Sequence, residues 1–189
     1  METVLVTLDT NVLDPGTIER LSNEIDVPCE FAAISVSLRE RGDVDFEIEV
    51  VPEVMIWGEG RWGEAVWGGK IPELFVLDES LLDSGVLAEP DSGDVLEAAL
   101  AIISNRSFPS PGYRDELSRG EGRQLRDAMV FEAHVRARRH VLVTGDKTGF
   151  VKHGRRALLE GLGKTRILTP DEFGDCAREG LLRRLLEWG

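Results

Sequence analysis

The chain has 189 residues and a formal net charge of −13, from 35 acidic and 22 basic residues. This length allows one well-buried domain and is too short for two domains of typical size without a visible linker. Its apolar runs are shorter than a membrane span, and Cys29 and Cys176 are too few for a disulfide framework. The first residues also lack the basic start of a secretion signal. We therefore expect one soluble, cytoplasmic domain over residues 1–189 and free, buried thiols.

Basic charge is concentrated in one part of this acidic chain. Residues 123–166 carry 11 Lys or Arg and only 4 Asp or Glu. Such a segment is either a set of solvated helix faces or a surface that binds phosphate groups, and the sequence leaves both interpretations open. The candidates for nucleic-acid binding are Arg136, Arg139, Arg155 and Arg156.

The first half of the chain predicts a strand, a helix and a second strand. The apolar run Val4–Leu8 reads as a buried strand that ends at Asp9. Asp14 and Pro15 then predict the cap and first turn of a helix. A second strand is predicted over residues 31–36. The residue pattern changes at about residues 44–70, where glycines between strand-forming residues predict an inserted β-hairpin. Its tryptophans, at Trp57, Trp62 and Trp67, either cover the edge of the sheet or stack on unpaired bases.

The second half predicts helices alternating with short strands. A strand at 141–145 ends at Asp146, and a short strand lies at 166–168. Helices are predicted over residues 95–104, 124–139, 154–162 and 181–188, and another helix is predicted to begin at residue 169. Strands that alternate with helices predict an α/β fold, a three-layer α/β/α sandwich with a mostly parallel central sheet. Apolar residues of the last segment, around Leu182 and Leu185, serve either a homodimer or the core of one chain.

Three aspartates are candidates for a metal site. Asp9 and Asp146 each follow a predicted buried strand, and the carboxyl ends of parallel strands meet at one edge of the sheet. Two carboxylates in one cleft repel each other unless a cation lies between them, and hard oxygen ligands suit Mg²⁺ or Mn²⁺. Asp127 lies beside the apolar face of its helix, and its alternative role is a charge in the first turn of that helix. Asn11 and Thr144 are expected to orient the carboxylates or a water molecule, although both residue types are also ordinary in turns and strands.

Several short motifs together resemble the PIN-domain nuclease family. LDTNVL at 8–13 is similar to the opening motif of the family. RDA at 126–128 and VTGD at 143–146 resemble its helix and its last acidic motif, and GFV at 149–151 and LTPDEF at 168–173 resemble its endings. The similarity covers about residues 4–42 and 121–178, and the motifs are specific through their order and spacing rather than singly.

The resemblance implies further site residues, an activity and partners. The family carries another acid near the start of a helix after its second strand, and Glu40 is the matching choice, with Glu24 and Glu30 as competitors. A capping-box partner of Ser37 is the alternative role of Glu40. The implied activity is that of a metal-dependent endoribonuclease in which Asp9, Glu40, Asp127 and Asp146 hold Mg²⁺ or Mn²⁺. Its implied substrate is RNA, and a protein antitoxin is a further candidate partner.

A different class of function competes with the nuclease. Four acids do not by themselves establish turnover, so a catalytically silent module that binds RNA or protein is the alternative. Other readings fail on particular residues. A two-aspartate phosphatase needs an Asp where Asn11 stands, and the three histidines lack the spacing of a zinc site.

Overall fold

The structure is a computed structural model, which describes residues 3–34, 37, 65–71, 73–74, 85–86, 92–110, 113–114 and 116–188. Glu40, Trp57 and Trp62 therefore lie outside the described residues, and so do residues 44–64 of the predicted insertion.

A parallel sheet organises this part of the chain. Its strands in chain order are β1 (Val4–Leu8), β2 (Cys29–Ile34), β3 (Ala65–Ile71), β6 (Val141–Val143) and β7 (Arg166–Leu168), and the short strands β4 (Glu73–Leu74) and β5 (Gly85–Val86) pair separately. In space the order is β3-β2-β1-β6-β7, and each neighbouring pair is parallel. The prediction of an α/β protein with a parallel central sheet is confirmed.

Helices pack on this sheet. The α-helices are α1 (Pro15–Glu24), α2 (Ser92–Ile103), α3 (Arg119–Arg136), α4 (Arg155–Gly163) and α5 (Pro170–Arg178). Shorter helical turns cover Thr10–Val12, Lys147–Val151, Lys152–Gly154 and Leu182–Trp188. Within the described part of the chain, no helix is long and apolar enough to cross a membrane.

Local sequence signals explain where these helices begin. Asp14 caps α1 and accepts a hydrogen bond from the backbone of Thr17, as its position before Pro15 predicts. The start of α3 was predicted at residue 124 but lies five residues earlier. A capping box between Ser118 and Glu121 satisfies the first backbone N–H groups and begins the helix there.

Two apolar cores lie on opposite faces of the sheet. One joins Val6 and Leu8 of β1 to residues of α1 and α5, with Phe31 and Phe173 in contact at 6.2 Å between ring centroids. The other joins Leu142 of β6 to residues of α2, α3 and α4. Alternate residues of a strand point to opposite faces, so both cores draw on the same strands. This arrangement is compatible with a three-layer α/β/α sandwich.

The structure bears on two further expectations, one for residues 65–70 and one for the last apolar segment. Residues 65–70 of the predicted insertion form β3 together with Ile71, and β3 runs parallel to β2 at the end of the sheet in the described part of the chain. This pairing extends the hydrogen-bond ladder of β2, and the hairpin itself stays a prediction. Leu182 and Leu185 are buried in the core of the chain, so they serve the monomer core, the second of their two predicted roles.

The two cysteines are free, as predicted. Cys29 is fully buried in β2, and its burial raises the pKa of the thiol to about 12. Cys176 is half-buried in α5. A thiol that stays protonated is a poor nucleophile, so Cys29 is a packing residue.

Candidate active site at the carboxyl ends of β1 and β6

The strand order places a crevice at the ends of β1 and β6. The chain passes from β1 to β2 on one side, whereas β6 lies on the other side of β1. Open α/β sheets bind ligands at such a reversal, outside the carboxyl ends of the strands. Leu8 is in register with Val143, and the backbone N–H of Asp9 donates to the carbonyl of Val143 at 3.0 Å. Asp9 and Thr144 therefore leave the sheet side by side, as the sequence predicted for the two strand ends.

Asp9 is a buried carboxylate held by three donors. The residue is only 5% exposed to solvent. Oδ2 accepts hydrogen bonds from Thr144 Oγ1 at 2.6 Å and from Asn11 Nδ2 at 3.0 Å, and Oδ1 accepts from the backbone of Thr10 at 2.7 Å. These donors compensate the cost of burying the negative charge and fix the direction of the carboxylate.

Asn11 and Thr144 connect the two strand ends. The Thr144 hydroxyl accepts from the backbone N–H of Asp146 at 2.9 Å while it donates to Asp9. The Asn11 side chain donates to Asp9 and accepts from the backbone N–H of Gly145 at 2.6 Å. Each side chain therefore sets the position of one aspartate relative to the loop that carries the other. This is the orienting role predicted for them.

Asp146 is also buried, at 8% exposure, and its two oxygens have different surroundings. Oδ1 accepts backbone hydrogen bonds from Thr148 at 2.7 Å and from Gly149 at 3.1 Å, at the start of the helical turn Lys147–Val151. Oδ2 accepts from the guanidinium of Arg123 at 3.2 Å. The backbone donors thus hold the carboxylate in place, and Oδ2 is turned toward α3.

Asp127 meets Asp146 above Gly149. A Cβ placed on Gly149 would lie 2.8 Å from Asp127 Oδ2 and 2.8 Å from Asp146 Oδ2, so these oxygens are no further apart than twice that distance. Asp127 is in the third turn of α3, since the helix begins at Arg119. The interpretation of Asp127 as a first-turn charge is therefore wrong. The convergence of two carboxylate oxygens on one point is what the acid-site interpretation requires.

Carboxylate oxygens at this point are ligands that suit a hard divalent cation. Fewer of the described side chains converge there, however, than the four that the sequence predicted. Among the residues that the structure describes, no group of three or more His, Cys, Asp or Glu is placed to hold one metal ion. Glu40, the fourth predicted ligand, lies outside them. Mg²⁺ is commonly bound by one or two carboxylates, and waters and substrate phosphates complete its shell. The oxygens of Asp127 and Asp146, with glycine leaving space between them, fit that role.

Arg139 is not available to a nucleic acid. It is buried, at 7% exposure, and its guanidinium donates to the Glu30 side chain at 2.8 Å and to the carbonyls of Val6 and Glu30 at 2.9 Å and 2.6 Å. Burial lowers the pKa of this guanidinium, while the ion pair with Glu30 opposes the shift. The prediction of a phosphate contact at Arg139 is wrong, because the side chain braces β1 against β2 instead. Glu30, a competitor for the fourth ligand, is likewise occupied by this ion pair.

The other three predicted arginines do not form a single face. Arg136 pairs with the buried Glu132, one turn before it at the far end of α3 from Asp127. Arg155 donates to the carbonyl of Thr148, beside the Asp146 loop, and Arg156 pairs with Glu172 at 2.8 Å. Because α3 carries Arg136 away from the crevice, these arginines do not line it together, and phosphate binding by Arg136, Arg155 and Arg156 stays a prediction.

Two residues of the site carried no prediction of their role. Arg123 contacts Asp146 from one turn before Asp127 on α3, and Gly149 leaves the space in which the carboxylates meet. A capping box at Ser118 is the signal that would have placed Arg123 and Asp127 on successive turns of one helix. For Gly149 the only signal was its place in the motif that resembles the family ending. Comparisons of the chain with protein-family models, curated proteins and solved structures found no significant match.

Proposed function

We propose that this protein is a PIN-like, metal-dependent endoribonuclease that hydrolyses phosphodiester bonds of RNA at the crevice of Asp9, Asp127 and Asp146. The observation that carries the proposal is the meeting of Asp127 Oδ2 and Asp146 Oδ2 above Gly149. Carboxylates that converge in a cleft at the switch point of a parallel sheet are seldom a structural accident. The resemblance of the motifs around these residues to the PIN-domain family supports the same activity.

Each residue of the crevice has a role in this proposal. Asp127 and Asp146 hold Mg²⁺ or Mn²⁺, and Glu40 is proposed as an additional ligand. When bound, the cation supplies a water of lowered pKa and neutralises the charge on the leaving oxygen. Asp9 adds negative charge at the neighbouring strand end, and Thr144 and Asn11 keep it in register with the loop of Asp146.

RNA is proposed as substrate because cations surround the crevice in an otherwise acidic chain. Lys147 and Lys152 are exposed on the turns that follow Asp146, and the side chain of Arg123 is 64% exposed. Cations beside the carboxylates of Asp127 and Asp146 suit a polyanion whose scissile phosphate reaches that pair. A protein antitoxin is also proposed as a partner, and so is a second copy of the chain in a homodimer.

The competing candidate is a catalytically silent module of the same fold. The observation that favours it is the ion pair of Arg123 with Asp146, which satisfies one of the proposed metal ligands within the protein itself. In that case the carboxylates are a structural network and the crevice has no turnover.

Cleavage of single-stranded RNA by wild type and Asp146→Asn separates the two candidates. Asparagine keeps an oxygen that accepts from Thr148 and Gly149, so the variant is expected to fold, which its circular dichroism and melting temperature check. Wild type should cleave only with Mg²⁺ or Mn²⁺, and the variant should lose at least 100-fold, on the order of the loss that removal of a charged ligand causes. Equal rates in the two proteins, or a folded wild type without activity on any RNA and any divalent metal, would contradict the proposal.

A further inference from the structure

The ion pair between Arg123 and Asp146 suggests how the negative charge of the site is neutralised when no metal is bound. The oxygen that accepts from Arg123 is Oδ2, and the same oxygen faces Asp127 Oδ2 above Gly149. A guanidinium and a divalent cation would therefore compete for one carboxylate oxygen. The other oxygen of Asp146 is already occupied by two backbone donors.

Arg123 is placed so that it can leave this oxygen. Its side chain is 64% exposed, whereas that of Asp146 is 6% exposed. The carboxylate is thus fixed by the turn Lys147–Val151, whereas the guanidinium reaches it from a largely exposed side chain, at 3.2 Å. Only the guanidinium side of this ion pair is open to solvent, which screens part of its attraction, so a doubly charged cation can displace the guanidinium.

Arg123 also lies on the face of α3 that carries Asp127. Residues four apart are neighbours on a helix surface, so a displaced Arg123 remains within one turn of the carboxylate pair. A planar guanidinium binds phosphate oxygens through two parallel N–H groups, better than a lysine does.

We propose that Arg123 neutralises Asp146 Oδ2 in the metal-free protein, gives up this oxygen to the divalent cation, and then binds a phosphate of the RNA strand at the crevice. This inference rests on the proposed function. Arg123 acts in it as a substrate-binding residue whose availability depends on metal. Phosphate binding by Arg123 therefore follows metal binding.

The first test measures competition for the oxygen without any RNA. Melting temperature is followed as Mn²⁺ is titrated into wild type, Arg123→Gln, Arg119→Gln and Asp146→Asn. Arg119 is also exposed, one turn before Arg123, so its variant controls for the loss of a positive charge at the same end of α3. Measured from each protein's own metal-free melting temperature, a given upward shift should need about three- to fivefold less Mn²⁺ in Arg123→Gln than in wild type. Arg119→Gln should stay within twofold of wild type.

The outcomes separate failure of the inference from failure of the proposed function. If wild type shifts with Mn²⁺, Asp146→Asn does not, and Arg123→Gln matches wild type or needs more metal, the competition is refuted and the metal site stands. If wild type and Asp146→Asn both lack a shift, the metal site itself is refuted.

The second test measures the phosphate contact. Affinity for a single-stranded RNA oligonucleotide is measured in an Asp9→Asn background, which keeps both carboxylates above Gly149 and is expected to leave the RNA uncut. With Mn²⁺ the added Arg123→Gln change should weaken binding at least threefold and flatten its salt dependence, and without Mn²⁺ it should change the affinity by less than twofold. An equal effect with and without Mn²⁺, or no effect with it, would overturn the phosphate role.

Discussion

A single residue, Gly149, leaves the space that two carboxylate groups need in order to approach one point. Its missing side chain leaves the point at which Asp127 Oδ2 and Asp146 Oδ2 converge, each 2.8 Å from where a Cβ would be. Its backbone N–H also donates to Asp146 Oδ1. The residue is thus a spacer and a donor at once, and both functions require the chain to approach the acids closely.

A Gly149→Ala substitution should therefore disturb the site more than the fold. The methyl group must push one carboxylate aside, which we expect to cost about 1–3 kcal/mol as overpacking does and to abolish the Mn²⁺-dependent shift of the melting temperature. The matched control is Gly161→Ala in α4, where an added Cβ meets nothing within 4 Å. That control should gain about 0.4–1 kcal/mol, since alanine restricts the unfolded chain. A Gly149→Ala protein with wild-type metal response would remove Gly149 from the site.

Another residue, His134, makes the stability of the whole protein sensitive to acid. It is completely buried in α3, and its ring nitrogens lie 2.8 Å from Thr7 Oγ1 and 2.7 Å from Thr165 Oγ1. Burial, together with the positive charge of Arg139, lowers the pKa of His134 from 6.5 to about 3. The folded state therefore keeps the ring neutral at pH values at which the unfolded chain protonates it.

The sign of the pH dependence follows from this difference. The unfolded state binds the extra proton between about pH 6.5 and pH 3, so the free energy of unfolding is fully retained above this window and falls as pH decreases through it. The slope from this group approaches about 1.4 kcal/mol per pH unit. Urea unfolding at pH 7 and pH 5 should show a larger loss for wild type than for His134→Gln, which cannot titrate. Where that variant folds poorly, an NMR titration that finds the wild-type ring protonated at pH 5 would contradict the prediction.

At the scale of elements, helix α3 carries most of what distinguishes the crevice. It begins at a capping box, brings Arg123 and Asp127 to the carboxyl ends of the strands, and buries His134 further along. Because the helix leads back to β6 and runs opposite to the strands, its last turn and Arg136 lie at the far end of the sheet. The element thus separates Asp127 from Arg136, which follows it nine residues later in the same helix.

The capping box is the local feature on which the start of α3 depends. A Ser118→Ala substitution removes the acceptor for the backbone N–H of Glu121 and should cost about 1 kcal/mol. For a protein of this size the melting temperature should fall by roughly 2–4 °C. Ser118→Thr is the matched control, because it keeps the hydroxyl group and should melt near wild type. Identical melting of the alanine and threonine variants would mean that the cap does not determine where the helix begins.

At the scale of the whole molecule, the parallel sheet is what turns separate motifs into a site. Asp9 and Asp146 are 137 positions apart, yet the pairing of β1 with β6 places their strand ends side by side. The same pairing sets Thr7 of β1 near His134, whose other nitrogen meets Thr165 just before β7. One sheet therefore supports both the acid crevice and the buried polar network about two turns further along α3.

The sequence by itself determined the local features of this protein. Apolar runs ended by Asp9 and Asp146 predicted two buried strands, and their shared edge followed because the carboxyl ends of parallel strands point the same way. The caps at Asp14 and Thr169 predicted where α1 and α5 begin. Asn11 and Thr144 were predicted at the acids because each lies within three residues of a strand end. These signals are local, since backbone hydrogen bonding and side-chain periodicity act over a few residues.

Only the tertiary structure decided the contacts between distant parts of the chain. Burial of Arg139 depends on Glu30, 109 positions away, so a count of basic residues could not distinguish it from a surface arginine. The place of residues 65–70 in the main sheet depends on an open edge of β2, and the meeting of Asp127 with Asp146 depends on how α3 packs over the loop of Gly149. Burial and ion pairing are properties of the space around a side chain, and that space is assembled only when the helices pack on the sheet.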